Sequence, residues 1–176
     1  MTEREHPPSC PLPADTDYIL QFAQVARGFA SWCEAESLGA EPEVTAAVWL
    51  AQLHAAALQL PNHEAQNDRG VPEIPVNLLA RVCANLQCYL GRYYREFFDP
   101  SPLLDDTHVL GDIGDDLLDI YKDIRIGLIL YDAGETDEAL WHWSFLHRIH
   151  WGHHAVGALF ALHCLSDTSR RKVTKP

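Results

Sequence analysis

The sequence predicts an all-α fold: a single-domain bundle of about five main helices, closing with a long antiparallel helix hairpin. Three observations predict it. Apolar residues recur at helical spacing along most of the chain, and no strict alternation is long enough for a convincing strand. Gly and Pro punctuate that pattern at Gly39, Pro42, Pro61, Pro75, Gly91, Pro100 and Gly134. A chain of 176 residues, 47% of them hydrophobic, can bury one core without a metal or disulfide staple.

The elements follow in order. Residues 1–16 are charged and proline-rich and read as a flexible arm; 17–166 form the helical domain; 167–176, with Arg170, Arg171, Lys172 and Lys175, read as a basic flexible tail. The first helix is expected over 17–36, capped by Thr16 or Asp17, because Tyr18, Ile19, Phe22, Val25, Ala26, Phe29 and Trp32 share one face. The second, over 43–60, is rich in Ala and Leu. A polar loop over 61–75 follows, with Asn62, Asn67, Asp68 and Gly70 as turn formers. The third helix starts near Pro75 and runs at least to Leu90, ending at Gly91 or continuing through Tyr93, Tyr94, Phe97 and Phe98. Asp99, Pro100 and Pro102 stop any helix there, and an acidic loop carries Asp105 and Asp106. The fourth helix is expected over 113–133, with Asp112 as cap and Gly134 as stop. The fifth starts at a Thr136 cap and runs unbroken to about residue 165, with Gly152 and Gly157 tolerated inside it.

A net charge of −12 argues against direct nucleic-acid binding and against an anionic membrane surface. The acids concentrate between Glu96 and Glu138, where only Lys122 and Arg125 oppose them. No apolar run approaches membrane-spanning length. Cys10, Cys33, Cys83, Cys88 and Cys164 are odd in number and lack a Cys-x-x-Cys spacing, and no signal-type segment opens the chain. Reduced, mostly buried thiols in a cytoplasm are therefore expected.

The chemistry-bearing feature is an Asp-rich helix followed, after a tight turn, by a His/Trp-rich one. Asp112, Asp116, Asp119 and Asp123 lie in one narrow stripe of the fourth helix. Ile113, Leu117, Ile120, Tyr121, Ile124 and Leu128 form the core face beside it, while Asp115, Lys122, Arg125 and Asp132 face water. On the fifth helix, Trp143, His147, His150 and His154 fall on one side, continued by Gly157 and Ala161. Its other faces are also apolar, which predicts burial nearly all round. The short turn at Gly134 packs the two helices antiparallel and brings Asp123 level with His147, Asp119 with His150 and Asp116 with His154.

Three uses of the cluster stay open. One is a buried Asp–His hydrogen-bond network with Tyr121, Trp143 and Trp151 as donors. The second is a divalent-metal site drawing on Asp116, Asp119, Asp123, His147, His150 and His154, since His150 and His154 have the i, i+4 spacing that sets two imidazoles on one ion. The third is metal-free acid–base catalysis by a His oriented by an Asp, against which no activated Ser or Cys stands nearby. Tyr93, Tyr94, Phe97 and Phe98 read as core packing, with a ligand groove as the lesser alternative. His54, His108, His142 and His163 receive no role, and His153 points partly away from the seam.

Three stretches carry a resemblance: YYREFFDP from Tyr93 to Pro100, GDIGDDLLDIYKDIRIGLILYDAG from Gly111 to Gly134, and ALWHWSFLHRIHWGHHAVGALFALH from Ala139 to His163. Together they resemble a bacterial family of all-α domains of unknown function. The resemblance implies a signature on Tyr94, Phe98, Asp99, Pro100, Gly111, Asp112, Asp116, Asp119, Tyr121, Asp123, Trp143, His150, Trp151, Gly152 and His154. Ile126 departs from it where a basic residue is expected. The resemblance supports the fold and the weight given to the Asp–His hairpin, and implies no activity.

The expectation drawn from all this is a non-catalytic interaction or accessory protein, with no cofactor and an unidentified protein partner. The alternative is a divalent-metal-binding protein or metal-dependent hydrolase, with Mn²⁺ or Zn²⁺ on the Asp–His hairpin.

Overall fold

The computed structural model describes residues 15–64, 70–97, 99, 101, 103 and 107–173, with side chains from 17 to 165 within those ranges. Residues 1–14 of the expected arm, the turn residues Asn67 and Asp68, Phe98, Pro100, Pro102, the Asp105–Asp106 pair and the basic side chains near the end lie outside the described residues; Asp15 and Thr16 already belong to the first helix, so the cap expected at Thr16 or Asp17 is corrected.

Helices dominate. α1 (Asp15–Glu34) buries Phe22, Ala26, Phe29 and Cys33, one face of the predicted pattern. Gly39, at φ 90°, turns the chain into α2 (Pro42–Ala57), whose first residue is the proline. α3 (Val76–Leu86) packs on α1. There Asn85 donates to the carbonyls of Cys33 (2.9 Å) and Ala35 (2.7 Å), which satisfies acceptors orphaned at the end of α1.

The chain then departs from expectation. α3 does not continue to Phe98; it tightens into a 3₁₀ turn (Gln87–Tyr89), reverses at Gly91 (φ 77°) and becomes a strand. β1 (Tyr93–Glu96) pairs antiparallel with β2 (Val109–Asp112), Tyr94 opposite Gly111 and Glu96 opposite Val109. The expectation of no strand is corrected here. Each strand has only four residues, too short for alternation to register, and its partner lies across a long connection.

α4 (Ile113–Asp132) follows β2 directly. Asp112 is its cap as expected, its Oδ1 accepting from the Gly114 amide at 2.8 Å while Oδ2 accepts from the Gly91 amide at 2.7 Å. Ile113, Leu117, Ile120, Tyr121, Ile124 and Leu128 are all buried, the predicted core face. Gly134, at φ 82°, ends the helix.

The expected single long helix is two: α5 (Thr136–Ile149) and α6 (Trp151–Val173). His150 sits at the break with φ −144° and ψ −90°. The close fold puts the His147 carbonyl where a Cβ on residue 152 would stand, so Gly152 is the residue that permits it. Thr136 is the first residue of α5 rather than its cap; Glu135 holds that position and makes no side-chain capping bond. The tertiary hairpin survives, because α4 packs on both α5 and α6.

Phe22, Trp143 and Trp151 lie at the centre of the core, with ring centroids 4.9 Å (Phe22–Trp143) and 6.2 Å (Phe22–Trp151) apart. Burial is not all round on the last two helices: Ile149, Val156 and Phe160 are exposed. Nor are the thiols mostly buried. Among the described residues Cys33 is enclosed, whereas Cys83, Cys88 and Cys164 are exposed. Among the described residues no helix is long and apolar enough to cross a membrane.

Candidate functional site

The acidic stripe of α4 divides by function. Asp112 is spent on the helix cap. Asp116 is buried, at 3% exposure, and two groups hold it: Oδ1 lies 2.8 Å from Nδ1 of His154, and Oδ2 accepts from the Tyr94 hydroxyl at 2.9 Å. Asp123, at 9% exposure, sets Oδ2 2.7 Å from Nδ1 of His150. Asp119 is partly exposed and accepts from Lys122 Nζ at 2.8 Å. One ligand atom each from Asp119, His150 and His154 lie within 4.8 Å of one another.

These pairs fix tautomers. A carboxylate on Nδ1 holds the ring proton there and turns Nε2 into the lone-pair nitrogen. His150 and His154 are both treated this way. The hydrogen bond that Asp116 accepts raises the pKa of His154 against the opposing effect of burial, and the charges of Asp116, Asp119 and Glu96 add to the rise.

Two of the expected pairings are corrected. His147 is not level with Asp123; it faces α2, with Nε2 3.1 Å from Nδ1 of His54 and its ring 4.6 Å from Trp151. Burial, then the neighbouring His54, depresses its pKa to about 4. His147 lies within α5, ahead of the break, so it is the facing of α5 itself that turns it to α2; the break at His150 re-aims the histidines from there on. His150 consequently serves Asp123, while the pairing of His154 with Asp116 stands as expected.

The expected donors are also elsewhere. Trp143 Nε1 donates to the Ile124 carbonyl at 3.2 Å, Trp151 Nε1 to the Trp143 carbonyl at 3.2 Å, and the Tyr121 hydroxyl to Glu34 at 2.9 Å. The donor to the cluster is Tyr94. Its ring runs between Gly111 of β2 and Gly157 of α6, where any side chain would collide with it. Glu96 stands beside it, with Oε2 3.3 Å from the Tyr94 hydroxyl and 3.5 Å from His153 Nε2. Burial, then the charge of Asp116, pushes the Tyr94 pKa up, so the hydroxyl keeps its proton for donation. Tyr94 and Glu96 alternate inward along β1 while Tyr93 and Phe97 are exposed, which corrects the reading of the aromatic patch as core.

Asp119, His150 and His154 have the donor types and spacing of a metal-ligand set, with Asp123 and Asp116 behind the two imidazoles. Asp116 and Asp123 themselves are occupied as supports.

No curated protein matches the chain. Among solved structures, the crystal structure of protein BF1032 from Bacteroides fragilis is similar in fold, with TM-score 0.66 and 22% identity over 84% of this chain and 91% of that one. A family model described as Domain of unknown function (DUF5063) matches residues 14–167, and the chain belongs to that family.

Proposed function

We propose that this chain is a divalent-metal-binding domain, with Asp119, His150 and His154 as ligands and with Asp123 and Asp116 as the carboxylates that orient the two imidazoles. The observation that carries this reading is the paired contact of both Nδ1 atoms with buried carboxylates, at 2.7 and 2.8 Å, beside a third oxygen ligand. Outer carboxylates of this kind recur behind metal-bound histidines, where they set the tautomer and raise ligand basicity. Two imidazoles and one carboxylate suit Zn²⁺ or Mn²⁺ and leave positions for water or an oxygen ligand. Such an ion supplies Lewis acidity, so metal-dependent hydrolysis is the reaction class to assay. We place the protein in a cytoplasm, on the support of the unbridged thiols of Cys33, Cys83 and Cys88.

A second reading has its own support: Lys122 already neutralises Asp119, and each histidine is already bonded, so the cluster also works as a structural network in an accessory protein. Metal analysis of the untagged chain, with melts in Zn²⁺, Mn²⁺ and EDTA, separates the two. The metal reading expects one ion per chain. It also expects about 2.7 kcal/mol of added stability when free ion stands at a hundredfold its Kd, a rise of roughly 5–10 °C for a chain this size. An unmoved melt with no bound ion leaves the structural network.

A further inference from the structure

The small sheet has an open side, because its order is β1–β2 alone. The Ile113 amide donates to the Arg92 carbonyl at 3.3 Å. Bonded pairs alternate along an antiparallel ladder, so Tyr94 bonds across to Gly111 and Glu96 to Val109. The N–H and C=O groups of Tyr93 and Arg95 therefore point away from β2, and among the described residues no backbone group pairs with them. An edge of this kind is a template for one more strand.

A groove of about 460 Å³ runs along that edge. Four successive residues of β1, Tyr94 to Phe97, line it and none of β2 does, which places it on the open side. Val156 and Phe160 of α6 form the far wall. A second groove of about 260 Å³ shares Tyr94, Arg95 and Phe160 with the first and carries the channel on to Leu165. From Val156 to Leu165 the helix rises about 13 Å, which four extended residues span.

The exposed face of β1 reads Tyr93, Arg95, Phe97. Glu96 is turned inward, beside the Tyr94 hydroxyl and His153. Arg95 makes no ion pair among the described residues, so the open edge presents a cation between two exposed aromatic rings. Opposite charges set across from each other on neighbouring strands attract and like charges repel, so the edge selects an incoming strand with an acid at that point.

We propose that β1 takes up an extended segment of a partner protein as a third strand, with an acidic residue of the segment opposite Arg95 and apolar residues on either side of that acid filling the groove. Backbone bonds to Tyr93 and Arg95 give affinity, while the charge of Arg95 and the Val156–Phe160 wall set the choice of sequence. None of Asp119, His150 and His154 lines the channel, so this surface does not depend on the metal reading.

The test titrates the full chain with acetyl-Thr-Val-Glu-Val-Thr-amide and follows the amide NMR signals of the protein, with shifts expected at Tyr93, Arg95 and Phe97. The same peptide with Lys in place of Glu is expected to bind about tenfold more weakly. Arg95→Glu, which alters an exposed side chain only, is expected to reverse that preference. Methylation of the Glu nitrogen removes the donor to the Arg95 carbonyl and is expected to abolish binding. Absence of binding at millimolar peptide overturns the proposal, as does equal affinity for the Glu and Lys peptides or a preference that Arg95→Glu leaves unreversed. Undiminished binding of the methylated peptide also overturns it, since strand addition needs that bond. A dimer of the wild-type chain that Arg95→Glu dissolves, with no peptide bound, assigns the edge to a second copy and overturns it too.

Discussion

At the scale of single residues, His147 and Tyr94 carry the sharpest consequences. His147 is held neutral by burial and by His54, with its pKa depressed to about 4. A depressed histidine contributes stability that is complete above its unfolded value, near 6.5, and is lost as pH falls towards the folded value. The His147–His54 contact is thus expected to weaken the fold between about pH 6.5 and 4, by on the order of 2 kcal/mol once partial solvent screening is allowed for. Urea denaturation at pH 7.5 and pH 4.5 measures it. A His147→Gln variant that keeps the full pH dependence would assign the loss to other groups. Tyr94→Phe removes a donor to a buried carboxylate, and a loss of about 1–3 kcal/mol is expected from the same measurement.

Residue-level chemistry was only partly visible beforehand. The cap at Asp112 and the pairing of Asp116 with His154 follow from spacing within and between helices that the sequence displays. Tyr94 stood out only as part of an aromatic patch and of the family signature; its role as donor to Asp116 depends on the space left by Gly111 and Gly157, two residues distant from it along the chain.

At the scale of elements, the joint between α5 and α6 is the feature that propensity misses. In a straight helix, replacing Gly152 by Ala adds up to about 1 kcal/mol of stability. Here the added Cβ meets the His147 carbonyl, and the opposite sign is expected: a loss of about 1–3 kcal/mol by chemical denaturation. A gain would mean that the joint straightens at no cost. Gly127 follows the same logic across the α4–α5 interface, where its bare backbone receives the Trp143 indole that donates to Ile124. Helices α1 and α4 were legible because 3.6-residue periodicity is a local property with many repeats, and α2 because Ala and Leu favour helix. β1 and β2 were not, since four-residue strands repeat only twice and their pairing is a long-range event.

At the scale of the whole molecule, stability resides in the aromatic centre that joins α1, α5 and α6. Phe22→Ala is expected to cost about 3–5 kcal/mol. Arg27→Ala breaks the ion pair with Asp132 between α1 and α4, but those side chains are 47% and 44% exposed, so a loss below about 1 kcal/mol is expected. Thermal melts of the two variants test the contrast. The all-α class and the single core were legible from length, composition and periodicity. The orientation of α5 against α6 was not, because one backbone angle at His150 decides which histidines share a face.

The contact of His147 with Trp151, 4.6 Å between ring centres, has a photophysical consequence. An excited indole loses its emission to a neighbouring imidazolium far more readily than to a neutral imidazole. Trp151 is fully enclosed, so bulk quenchers reach it poorly and His147 is the neighbour whose charge changes with pH. Its fluorescence is therefore an internal optical gauge of the α5–α6 joint, bright at neutral pH and dimming as His147 takes up a proton.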